Sequence, residues 1–134
     1  MDTSHLFHTL NQKVRMLSKE LNEKLQEYNL YSSQWTILYT LDKRGPMTQT
    51  DIWNYLKVEA PTVTRTLARM ESSGWVTRKP GKDKRERIVQ LTLEAEQKVS
   101  IIKQSVENFE QDHLAHLSEQ ERQQLLHLLQ KLGK

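Results

Sequence analysis

One ten-residue run concentrates the cations of this chain. Arg78-Lys79-Pro80-Gly81-Lys82-Asp83-Lys84-Arg85-Glu86-Arg87 carries six basic side chains around a Pro-Gly turn. A basic loop by itself reads as a solvated surface; clustered beside a reading helix, it has the charge density that phosphate neutralisation requires. Such a helix is written just upstream. From Ala60 it would present Thr62, Thr64, Arg65, Thr66 and Arg69, with Pro61 in the first turn and Val63, Leu67 and Met70 facing inward. Arg65 is the candidate for paired donation to guanine O6 and N7. Thr62 and Thr66 are candidates for base or phosphate contacts, and threonine methyls can touch thymine. Lys82, Lys84 and Arg85 at the hairpin tip are placed to reach an adjacent minor groove or its phosphates. Asp83, which would repel phosphate, is expected to shape the loop by pairing with a nearby arginine.

Other chemistry is sparse. The chain has no cysteine, which removes disulfides, thiolate metal sites and thiol redox sensing. Two histidine pairs, His5 with His8 and His113 with His116, have helical spacing that suits zinc, but with no cysteine and no histidine beside Trp35 only Glu or Asp could supply the remaining ligands. They read as surface or interface histidines, and no metal or cofactor is expected. A small-molecule effector pocket is expected around Tyr31, Trp35 and Tyr39, with Leu10, Val14 and Leu17 across from it, against the alternative that these aromatics are plain core. No nucleophile-base pair or phosphate-cradling glycine run suggests an enzyme.

The elements that must position these residues follow from periodicity. Leu6, Leu10, Val14, Leu17, Leu21, Leu25 and Tyr28 form one face of a long helix, broken at Asn29-Leu30. Ser32 or Ser33 can cap a second helix, which carries Trp35, Leu38, Tyr39 and Leu41 and ends at Gly45-Pro46. Thr48 and Asp51 suit the start of a short helix through Ile52 and Leu56, with Gln49 in its first turn; Thr48 and Gln49, like Pro61, Thr64 and Arg69 of the reading helix, are candidate DNA-contact residues. The reading helix then runs to Ser73, with Gly74 as its stop. Trp75–Arg78 and Arg87–Leu91 read as a hairpin, and Thr92 caps a long helix bearing Ala95, Val99, Ile102, Val106 and Phe109 toward His116. Ser118 and Glu121 open a last helix rich in leucine. The order describes a mainly α (α+β) protein: a winged helix-turn-helix over 32–92, flanked by dimerisation helices at 1–31 and 93–134.

Composition agrees with this division. Of 134 residues, 20 are Lys or Arg and 17 Asp or Glu, for a net charge of only +3. Residues 1–56 are neutral, 57–92 carry +5, and 93–134 carry −2. The positive excess therefore sits on the reading helix and wing. Hydrophobic residues make up 36% of the chain, lean enough that a partner copy is expected to complete the apolar surface. No apolar run could span a membrane and no signal peptide is visible, so a cytoplasmic protein is expected.

The stretch Thr48-Gln49-Thr50-Asp51-Ile52, then Pro61-Thr62-Val63-Thr64-Arg65, Leu67, Arg69-Met70-Glu71, Gly74-Trp75-Val76, Arg78, Asp83-Lys84-Arg85 and Leu91-Thr92 resembles the MarR family of bacterial transcription regulators. The resemblance implies a homodimer with intertwined terminal helices that binds a pseudo-palindromic operator on double-stranded DNA. It further implies a repressor released by a small, often aromatic, ligand. The alternatives are a winged-helix protein-interaction module, which would need a neutral wing and an apolar reading helix, and a zinc-responsive regulator of the same fold. Three positions depart from the family pattern, which commonly has a small residue at Trp53, glycine at Lys57 and serine at Glu59. Trp53 would alter how the two short helices pack. Glu59 caps poorly but favours the helix dipole, or could accept from a cytosine amino group.

Overall fold

The computed structural model describes residues 1–134. Six α-helices and three strands run in the order α1 Thr3–Leu25, α2 Ser32–Arg44, β1 Met47–Thr48, α3 Gln49–Leu56, α4 Ala60–Ser72, β2 Val76–Pro80, β3 Arg87–Leu91, α5 Leu93–His113 and α6 Glu119–Lys131, with a single 3-10 turn at Gln26–Tyr28. No helix is long and apolar enough to cross a membrane.

Local chemistry explains most boundaries. Asp2 accepts the Ser4 N–H and opens α1, while Asn29, left-handed at φ 57°, closes the turn after it. The expected serine cap of α2 is not what forms. Ser32 and Ser33 lie inside the helix; Gln34 Oε1 accepts the Tyr31 N–H, and Asn22 of α1 accepts the Ser32 N–H. A side chain from another helix thus satisfies one of the free N–H groups, something no local pattern could reveal. Thr48 accepts the Asp51 N–H as expected. The reading helix α4 ends in two backbone bonds, Trp75 N–H to Met70 O at 2.9 Å and Gly74 N–H to Glu71 O at 3.1 Å, with Gly74 at φ 84°.

The sheet is antiparallel in the order β1-β3-β2, with Met47 opposite Val89 and Val76 opposite Leu91. β1 was not foreseen, because two residues carry no periodicity. β2 starts one residue later than Trp75 and continues to Pro80. At the hairpin's base Thr92 donates to Gly74 O at 2.7 Å and accepts the Ala95 N–H at 3.1 Å, so one hydroxyl ties the end of α4 to the start of α5. The fifth helix stops at His113, short of His116, where Arg122 donates to the carbonyls of Leu114 and Leu117 and to Gln111 Oε1.

The core lies where α2, α4, α5 and the sheet meet. Leu38, Ile52, Leu67, Met70, Val89, Val99 and Ile102 are fully buried there, with Leu25 and Leu30 closing one side. Trp53 packs half-buried against this core. The first half of α1 and all of α6 stay outside it: Leu6, Phe7, Val14 and every leucine from Leu125 to Leu132 are exposed.

Candidate nucleic-acid interface

The face of α4 opposite Val63, Leu67 and Met70 is formed by Pro61, Thr62, Arg65 and Arg69, all exposed. Neither arginine makes an ion pair, so both guanidinium forks remain available as donors. Thr64 and Thr66 carry a constraint that residue type does not show. Their hydroxyls donate to the carbonyls of Ala60 and Thr62, both at 2.9 Å, which leaves only lone pairs to offer. Thr66 is also half-buried and lines a small cleft with Ile37 and Leu56, while Thr62 at its edge is exposed. Glu59 opens α4 without a side-chain cap, so its first turn keeps free N–H groups and the positive end of the helix dipole.

Lys82, Lys84 and Arg85 project from the wing, exposed and without ion pairs. The loop is held by Gly81 N–H to Glu86 O at 3.0 Å and Glu86 N–H to Asp83 O at 2.9 Å. Asp83 accepts the Arg85 backbone N–H at 3.1 Å. Its partner is therefore an amide in a tight turn, not the guanidinium expected from charge alone, and Arg85 keeps its charge free. A Cβ at Gly81 would fall 2.8 Å from Glu86 Cβ, which accounts for glycine there. Lys79 and Arg87, on the two wing strands, are further exposed cations of the basic run, beside Lys82, Lys84 and Arg85.

Arg78 belongs to the same run but is spent inside the chain. Its Nη2 lies 3.0 Å from Glu71 Oε1, its backbone N–H donates to Glu71 Oε2 at 3.2 Å, and Nη1 reaches Gln49 Oε1 at 3.3 Å. The hydrogen bonds from Arg78 hold the Glu71 carboxyl below its ordinary 4.5, against a smaller opposing effect of desolvation. The contact locks the wing strand to the reading helix and to the first turn of α3.

The six residues expected around an effector do not share one pocket. Trp35 and Tyr39, with ring centroids 6.3 Å apart, line a cavity of about 360 Å³ together with Leu21, Val106, Lys43, Lys103, Glu107 and Glu110. Across from Trp35 stands Leu21, one turn beyond Leu17. Leu17 lines a neighbouring cavity of about 880 Å³, Val14 faces away beside Arg15 and Asn22, Tyr31 is exposed, and Leu10 borders neither cavity. The stripe on α1 is long enough to rotate off the pocket, and Leu6 and Val14 of its first half are exposed. Burial pushes the Glu110 carboxyl up, with Glu107 adding like charge. No three His, Asp or Glu side chains gather as a metal-binding group; His113 Nε2 instead meets Glu20 of α1 at 2.7 Å.

Two short helices backed by a small sheet, with free arginines on the second helix and unpaired cations on the hairpin, define a winged helix-turn-helix with a basic open face. The MarR family profile matches residues 30–86, from the start of α2 to the wing tip. The chain is 50% identical over 124 residues to the uncharacterized HTH-type transcriptional regulator YwoH of Bacillus subtilis, covering 92% of this chain and 90% of that protein. It is 32% identical to the HTH-type transcriptional regulator PecS of Dickeya dadantii, covering 94% of this chain and 78% of that one. A mutant MarR from E. coli, solved in complex with operator DNA, superposes with a TM-score of 0.85 at 29% identity, covering 98% of this chain and 93% of that one. A second structure of the same mutant gives 0.76. The chain belongs to the MarR family of transcriptional regulators.

Proposed function

We propose that the protein is a homodimeric, sequence-specific DNA-binding repressor. In this reading α4 enters the major groove and the wing lies along the neighbouring backbone of a pseudo-palindromic operator. The observation that carries it is the free state of Arg65 and Arg69 on the outer face of α4, beside a wing whose cations are also unpaired. Arg65 reads bases; Thr62, Arg69, Lys82, Lys84 and Arg85 take bases or phosphates; Thr48, Gln49 and the first turn of α4 at Pro61 hold the backbone. Thr64 and Thr66 act only as acceptors. The similarity of the single-chain arrangement to operator-bound E. coli MarR supports the docking mode. The proposal gives the chain no catalytic role, in keeping with relatives that are transcriptional regulators.

Dimerisation is assigned to residues 1–31 and 93–134, whose exposed leucines would otherwise remain wet. A small aromatic effector is assigned to the cavity bounded by Leu21, Trp35, Tyr39 and Val106. That cavity abuts α2, whose opposite side packs on α4, so a ligand that shifts α2 moves the reading helix.

The test is binding to duplexes that the purified protein selects from a random-sequence pool. Affinity for a selected duplex should fall steeply with salt, with a slope matching roughly six to ten neutralised phosphates per dimer. Arg65→Ala should lose about 1–3 kcal/mol of discrimination per base contact. Salt-independent affinity, or unchanged preference over random DNA in the variant, would contradict the assignment.

A further inference from the structure

We propose that Arg78 is a positioning residue for DNA contact: it holds the carbonyl end of Gln49 inward, so that the Gln49 amide presents its donors to the nucleic acid. The inference rests on the DNA-binding reading above and adds a residue that the basic run alone would have counted as a direct phosphate contact.

The geometry supplies the reason. A guanidinium is donor-only, so the end of Gln49 that meets Arg78 Nη1 at 3.3 Å must be its oxygen. The Nε2 group is then left at the other end. It makes no hydrogen bond within the chain, and it is not among the buried atoms that lack partners, so it remains open to solvent. Gln49 opens α3, where unsatisfied N–H groups and the helix dipole already favour an anion, and the amide hydrogens add donors of the same sense.

Arg78 is itself fixed. Both oxygens of Glu71 are engaged, one by Nη2 and Nε at 3.0 and 3.4 Å, the other by the Arg78 backbone N–H at 3.2 Å. Its charge is neutralised by Glu71, which makes it a poor phosphate ligand and a good bracket. Without it, the Gln49 amide is free to turn over, and its carbonyl would face phosphate as often as its N–H2.

The test uses the full chain and a duplex that the wild type selects from a random-sequence pool, titrated at several salt concentrations. Gln49→Ala should weaken binding about tenfold, the cost of one good polar contact, Arg78→Ala about twofold because half of the amide orientations stay competent, and the double variant should be no worse than Gln49→Ala alone. The salt slope should stay unchanged in Arg78→Ala. Gln49→Glu retains an acceptor for Arg78 and the thermal midpoint, yet should bind no better than Gln49→Ala. This variant decides the matter should Arg78→Ala fail to fold. Additive losses, a slope lower by about one in Arg78→Ala, or wild-type binding by Gln49→Glu would each overturn the proposal. If the wild type enriches no duplex at all, the DNA-binding reading fails first and this inference with it.

Discussion

Lys57 closes α3 in the left-handed region, at φ 59°, with its N–H on Trp53 O. A residue with a Cβ pays roughly 1–2 kcal/mol for that conformation, partly offset because glycine would loosen the unfolded chain. Lys57→Gly should therefore stabilise the fold by about 0.5–1 kcal/mol, seen as a higher midpoint in urea at unchanged slope. An unchanged or lower midpoint would mean that the lysine side chain compensates. Thr77 presents a different local cost: its hydroxyl is buried on β2 without a partner. Thr77→Val keeps the branched shape and should gain about 1 kcal/mol by removing the unsatisfied group; a loss in thermal unfolding would show that the hydroxyl is satisfied in solution. At this scale much was visible beforehand. That Arg65, Arg69 and the wing cations lie exposed follows from type and spacing. The fate of Arg78 does not, because Glu71 and Gln49 come to it from other elements.

Among elements, the junction of α1 and α5 carries a proton-linked contact. His113 Nδ1 donates to Phe109 O, 2.8 Å away, and in the protonated ring Nε2 donates to the Glu20 carboxylate of α1. The Phe109 carbonyl, then the Glu20 carboxylate, raise the imidazole above its ordinary 6.5, desolvation opposing. A raised folded-state value means that the stabilisation is complete below pH 6.5 and is lost as pH rises through the elevated value. Thermal stability should thus decline from pH 6 toward 8, and His113→Gln should flatten that decline; an equal slope in the variant would assign it elsewhere. Helix positions at this scale were readable from periodicity, since the burial of Ala95, Val99, Ile102 and Val106 reproduces the stripe expected for α5. The Asn22 contact that completes the start of α2 and the strand β1 were not, because each depends on a partner from another element.

For the whole molecule the question is what covers the outer helices. The sixth helix has no buried residue, and Leu126, Leu128 and Leu129 are about half exposed or more. Four leucines on a well-capped helix and Leu132 at its end, together with Leu6, Phe7 and Val14, form more apolar surface than a monomer ordinarily leaves in water. Removing residues 118–134 should yield monomers or insoluble protein in sedimentation, while a well-behaved dimer would show that α1 and α5 suffice.

By itself the sequence determined the class of protein. Helical stripes, the Pro61 start, the Gly74 stop and the basic hairpin are local signals, each written within a few residues of where it acts. Only the tertiary structure decided which charges are free and which are consumed, which threonines turn inward, and that Leu21, not Leu10 or Val14, faces Trp35. Those outcomes depend on contacts between elements remote in sequence, where a few degrees of helix rotation or one crossing hydrogen bond changes the partner without leaving a trace in local spacing.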